Sequence, residues 1–175
     1  MTITSEISLR DLAFIVCNAL SEAGTIAVLT GGSAATFYAP EAHQSRDLDF
    51  VIHFSGEASE QPLSNLGFEK KNSMYVHPLT PYTLEFPRGP LAVGDEIIEN
   101  WNHLKENGKI LHVLTATDCV RDRLAAFIHW NDYASLDQAV AVARRHEIDL
   151  QLIQRWFLKE STASKYEIFA SKLSG

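Results

Sequence analysis

The sequence predicts an α+β fold: a mixed β-sheet core over about residues 1–114, followed by a C-terminal helical region over 115–175. Three observations predict it. Short apolar runs rich in β-branched residues, punctuated by turn residues, fill the first part of the chain. After Thr115 the apolar spacing changes to three and four residues and stays so to the end. No Pro- or Gly-rich linker separates the two parts, so they are expected to pack as one unit.

The elements follow in order. Leu9 to Ala23 has apolar residues at 12, 15, 16, 19 and 20, one face of a helix, with Gly24 as its C-terminal cap. Thr25 to Leu29 reads as a short buried strand. Gly31-Gly32 breaks it, and Ser33 is placed to cap a short helix from Ala34 to Tyr38, closed by Pro40. Leu48 to Phe54 is the next strand, with Leu48, Phe50 and Ile52 on one face and Asp49 and Val51 on the other. Ser55 to Gln61 is polar and reads as a loop entering a short helix that ends near Leu66-Gly67. Phe68 to Val76 and Tyr82 to Phe86 read as two strands, and Pro87-Arg88-Gly89-Pro90 as a turn. Ile97 to Leu104 and Ile110 to Leu114 flank Glu106-Asn107-Gly108, a hairpin signal because Asn-Gly tolerates positive φ. Thr117 or Asp118 is placed to cap a helix carrying Val120, Leu124, Phe127 and Ile128. Further helices are expected over about 136–145, 150–159 and 165–173.

Composition narrows the function classes. A chain of 175 residues with 46% hydrophobic and 21% charged residues is ordinary globular protein, not a disordered one. No apolar run approaches the roughly 18 residues that span a bilayer. The opening MTITSEISLRDL has neither the basic nor the apolar region of a signal peptide. Cys17 and Cys119 lie inside helical patterns and are expected as core thiols of a reduced, cytoplasmic protein. With 22 acids against 15 bases the net charge is −7, which disfavours a surface that grips nucleic acid throughout but leaves room for a local basic groove. Seven histidines are scattered without an HxxxH or CxxC partner, so a structural zinc site is not expected.

The chemistry gathers around three acids. Asp47 and Asp49, two apart on one strand, share a face and repel each other unless something cationic offsets the charge. A hard divalent ion such as Mg²⁺ does so with oxygen ligands, and commonly shares its shell with substrate phosphates. Taken alone, such a pair is more often surface charge, or paired with neighbours such as Arg46 and Arg88. Gly31-Gly32-Ser33 is by itself a weak signal, a turn needing flexible φ. As a strand-to-helix turn, it also allows close approach of an anion to backbone N–H groups. Glu85, in the apolar run Tyr82–Phe86, is either a solvent-facing strand acid or a third carboxylate beside the first two.

The order GGS, short helix, SRDLDFVI, and a later hydrophobic-acid-hydrophobic strand resembles the nucleotidyltransferase superfamily. In particular it resembles the small prokaryotic branch of minimal and AbiEii-like nucleotidyltransferases of toxin–antitoxin and defence systems. The resemblance covers about residues 24–87 well and the helical part more loosely. It implies a polymerase-beta-like core and an enzyme that moves a nucleoside monophosphate from an NTP to an acceptor hydroxyl on RNA, protein or a small molecule. Asp47, Asp49 and Glu85 would be the catalytic and metal-binding acids for Mg²⁺ (or Mn²⁺). Gly31, Gly32, Ser33, Arg46 and Arg123 would contact the nucleotide, with arginine at 123 where the family usually has lysine. Arg121 and Arg123 are equally readable as a salt-bridge lattice with Asp118 and Asp122. A cognate antitoxin protein is an implied partner, and no membrane is. Other DxD users fit less well: glycosyltransferase domains are longer, and haloacid-dehalogenase-type phosphatases place the motif on their first strand. The non-enzyme reading is a degenerate nucleotidyltransferase domain acting as a nucleotide-binding or antitoxin-like module.

Overall fold

A computed structural model describes residues 2–55 and 60–175. Among them the chain runs α1 (Leu9–Glu22), β1 (Ile26–Thr30), α2 (Gly31–Tyr38), β2 (Asp47–Phe54), α3 (Gln61–Asn65), β3 (Glu69–Lys71), β4 (Met74–Val76) and β5 (Thr83–Glu85). It continues through β6 (Ala92–Val93), β7 (Glu96–Ile97), β8 (Asn102–Glu106), β9 (Lys109–Val113), α4 (Ala116–Trp130), α5 (Tyr133–Arg145), α6 (Leu150–Glu160) and α7 (Ala163–Ser174). The fold is α+β: a mixed seven-stranded sheet with helices in its N-terminal part, then a four-helix region. No helix among the described residues is long and apolar enough to cross a membrane.

The sheet order is β3-β4-β5-β2-β1-β9-β8, with β2–β5 and β1–β9 parallel and the other neighbours antiparallel. The strand with the two aspartates is therefore central, flanked by β5 and β1, rather than an edge. Its alternation is as the sequence implies: Leu48 and Phe50 are fully buried, while Asp49 and Val51 are half-buried on the opposite face. Both cysteines are free and buried. One hydrophobic cluster joins Leu29, Leu48 and Phe50 of the sheet to Leu124, Phe127, Leu136 and Phe157 of the helical region.

Several boundaries differ from expectation, each for a local reason. Helix α2 starts at Gly31, with Thr30 as its N-cap, so the glycines are its first turn and Ser33 lies inside it instead of capping it. The run Phe68–Val76 is two strands, because Asn72 adopts φ +57° and turns the chain between β3 and β4. Ile97 belongs to a separate two-stranded ribbon with Ala92, and β8 begins only at Asn102. The Asn107-Gly108 turn has positive φ at both residues and pairs β8 with β9, as predicted. Helix α4 is capped by Thr115, whose hydroxyl accepts from Asp118 N–H, earlier than Thr117 or Asp118. Within the polar stretch Ser55–Gln61, residues 56–59 lie outside the described residues.

Candidate functional site

The site begins where β1 ends. Gly31 has φ +64°, a conformation that favours glycine, and a Cβ there would fall 2.6 Å from Asp49 Oδ2. Glycine is thus required twice, for the turn and for the close approach of an acid. The Ser33 hydroxyl ties the same corner together: it donates to Thr30 C=O (2.7 Å) and accepts from Asp49 N–H (3.0 Å). Ser33 is fully buried, so its hydroxyl fixes the strand against the turn and does not face the open cleft.

Parallel pairing then sets the acids. Asp49 lies opposite Glu85 on β5, and Asp47 opposite Thr83. Neighbouring strands are about 4.8 Å apart, so Asp49 and Glu85 are side by side on one face. Asp47 accepts a hydrogen bond from Thr83 Oγ1 at 2.5 Å, which occupies one of its two oxygens. Burial, and next the charge of Glu85, push the Asp49 carboxyl up to about 6, against the opposing pull of Arg123.

Asp49 opens into a cleft of about 660 Å³ between the sheet, the segment 87–95 and α4. Its walls carry Asp49, Asp95, Asp122 and Glu160 against Arg123 and His129, so the cleft is net acidic. Trp130, 77% exposed, lines it as well. Arg123 is held by Asp122 (2.6 Å) and reaches Ser135 Oγ (3.4 Å), yet stays close enough to feel Asp49.

Of the nucleotide-contact residues expected from the sequence, Gly31, Ser33 (through Asp49 N–H) and Arg123 are brought to Asp49, and Gly32 lies beside Arg123. Arg46 is exposed and lines a different recess with Gln44 and Tyr82. No ion pair joins Asp47 or Asp49 to Arg46 or Arg88 among the described residues. The two arginines of α4 separate in role. Arg121 is buried between Asp118 and Glu96 over the Trp156 ring, whereas Arg123 faces the cleft. Asn131 and Asp132 are structural: Asn131 ends α4 in the left-handed region, and Asp132 caps α5. Asp122, Ser45, Trp130 and Gln138 join the site without having been expected there from the sequence. An amide on the buried face of amphipathic α5 was the available signal for Gln138.

Among the described residues no group of three or more His, Cys, Asp or Glu side chains is arranged to hold a metal ion as it stands. The donor chemistry of Asp47, Asp49 and Glu85 is of the kind hard divalent cations take, although the side chains are not gathered as a ligand cluster. The set offers only carboxylate oxygens, and its central acid carries a charge that burial and acidic neighbours make costly. No family model, curated protein or solved structure matches the chain.

Proposed function

We propose that the chain is a nucleotidyltransferase with a polymerase-beta-like core, dependent on Mg²⁺ or Mn²⁺, that transfers a nucleoside monophosphate from an NTP to an acceptor hydroxyl. The observation that carries this reading is the pairing of Asp49 with Glu85, pressed against the glycine turn at the start of α2 and facing Arg123. Asp49, Glu85 and the free oxygen of Asp47 would hold the cation, which supplies charge neutralisation on the phosphates and polarises the reacting phosphorus.

The chain's own residues do the rest. The N–H groups of the first turn of α2 orient the phosphates, in place of the buried Ser33 hydroxyl. Arg123 offsets the charge that develops on the leaving group. Glu85 accepts the proton of the acceptor hydroxyl. The hydroxyl oxygen bonds to the α-phosphorus as the bond to the bridging oxygen breaks, and pyrophosphate leaves. An acidic cleft repels a bare triphosphate, so binding is expected only with the divalent ion present.

A second reading is favoured by one specific feature. Asp47 is hydrogen-bonded to Thr83, and no three-carboxylate cluster stands ready-made among the described residues. That suits a degenerate domain that binds nucleotides, or a toxin or antitoxin partner, without turnover. One experiment separates the two. The protein is incubated with each α-labelled NTP, Mg²⁺, and tRNA, protein or small-molecule pools. Label should enter one pool and be lost in Asp49→Asn and Asp47→Asn variants that remain folded. Full transfer by either variant sinks the enzyme assignment, and cation-dependent binding with no label transferred supports the degenerate domain.

A further inference from the structure

The buried face of α5 carries a polar residue that packing does not explain. Gln138 is only 6% exposed, and its Oε1 is buried with no hydrogen-bond partner. An unpaired carbonyl costs free energy that a leucine of similar size would not. The surroundings give it a use. Gln138 Oε1 lies 3.9 Å from the point a Cβ on Gly32 would occupy. Ser45 Oγ lies 3.7 Å and an Arg123 guanidinium nitrogen 3.8 Å from the same point. Polar tips from three places in the chain thus converge over the first turn of α2. Thr30 makes no side-chain cap there, so the turn's N–H groups lack that acceptor.

We infer that Gln138 is a phosphate-binding residue of the nucleotide site, contributed by the helical region and acting with Arg123 and the N–H groups of α2. The inference rests on the nucleotide reading above. Half a turn of the amide exchanges its oxygen and nitrogen and presents Nε2 as a donor. Guanidinium, helix N–H groups and amide then all donate, and a tetrahedral oxyanion is the ligand that accepts from each of them, while the Ser45 hydroxyl keeps its bond to Asp47 C=O (2.9 Å) and only borders the spot. Cationic or apolar ligands leave these donors unmatched.

The test compares the unmodified protein with Gln138→Leu and Gln138→Glu by calorimetric binding of MgATP and of Mg-tripolyphosphate, and by thermal unfolding. Removing an unsatisfied amide should raise the Tm of Gln138→Leu by a few degrees while weakening both ligands roughly tenfold. Gln138→Glu, which sets a carboxylate against the phosphates, should weaken both further. A fall in Tm together with affinity in Gln138→Leu would mark Gln138 as structural and overturn the inference. So would unchanged binding in either variant. If Gln138→Leu fails to fold, Gln138→Glu alone decides, by its binding. If the unmodified protein binds neither ligand, the nucleotide reading itself fails, and this inference with it.

Discussion

At the scale of single residues, Asp49 is an acid whose charged form is held at a cost to stability. Its folded carboxyl is pushed up to about 6 from an ordinary value of 3.8, by burial first and Glu85 second. The folded state therefore binds a proton more tightly than the unfolded chain. The stability this represents is fully present below about pH 3.8 and is lost as pH rises through 6, because the charged form is the costly one. A rise of that size corresponds to at most about 3 kcal/mol. Asp49→Asn should accordingly be more stable than the unmodified protein at pH 8, by up to that amount, and indistinguishable from it near pH 4. Urea unfolding at the two pH values measures this. An asparagine variant that is less stable at pH 8 would contradict the burial of an uncompensated charge. Gly31 shows the same economy from the backbone side, since only glycine combines φ +64° with a carboxylate oxygen 2.6 Å from the missing Cβ.

At the scale of elements, α4 has a structural arginine and a cleft arginine two residues apart. Arg121 is 3% exposed, joined to Asp118 at 2.8 Å and to Glu96, with its guanidinium 5.2 Å from the Trp156 ring centre. Replacing it with methionine leaves part-buried Asp118 without its cation, held only by the Thr115 hydroxyl (2.8 Å), and should cost about 3 kcal/mol in urea unfolding. A loss below about 1 kcal/mol would show the ion pair to be dispensable. The cleft end of the helix is braced separately: Lys165 of α7 donates to Ile128 C=O (2.7 Å) and Asn131 Oδ1 (2.8 Å), satisfying acceptors at the helix terminus beside Trp130. Helix α2 is clamped at its far end as well. Tyr38 OH donates to Leu114 C=O (2.6 Å), and Tyr38 C=O is bonded by His146 (2.8 Å). The glycine turn therefore opens a helix whose other end is fixed to the segments that follow β9 and α5.

At the scale of the molecule, residues 1–114 and 115–175 read from the sequence as a core with a packed helical region, and one hydrophobic cluster runs through both. Val120, Leu124, Phe127, Leu136 and Val142 are buried in it. A fragment ending at residue 114 should therefore lack a cooperative urea transition and a dispersed amide spectrum. A sharp transition in that fragment would make the helical region an appendage. The arrangement also bears on the site, because Arg123 and Gln138 reach the glycine turn from the helical region.

Much of this was legible in the residues themselves. Alternation over Leu48–Val51, the Asn107-Gly108 hairpin and the helical period after Thr115 are local signals, set by side-chain direction and backbone φ, and each is present where expected, whereas the alternation fades at Ile52–Phe54, where Phe54 is exposed. The Gly-Gly turn and the two aspartates were visible for the same reason. Helix starts differ from the local pattern at Thr30, which caps α2 by backbone alone, and at Thr115, where the hydroxyl that takes Asp118 N–H is one of several cap candidates in the stretch. Only the tertiary structure decided what pairing across the sheet and packing between helices control. The parallel register sets Asp49 beside Glu85 and turns Asp47 to Thr83. Packing of α4 and α5 on α2 divides Arg121 from Arg123 and brings Gln138 over Gly32. Local preference reaches only a few residues along the chain. Contacts between strands and helices distant in sequence depend on register and packing, which no local pattern specifies.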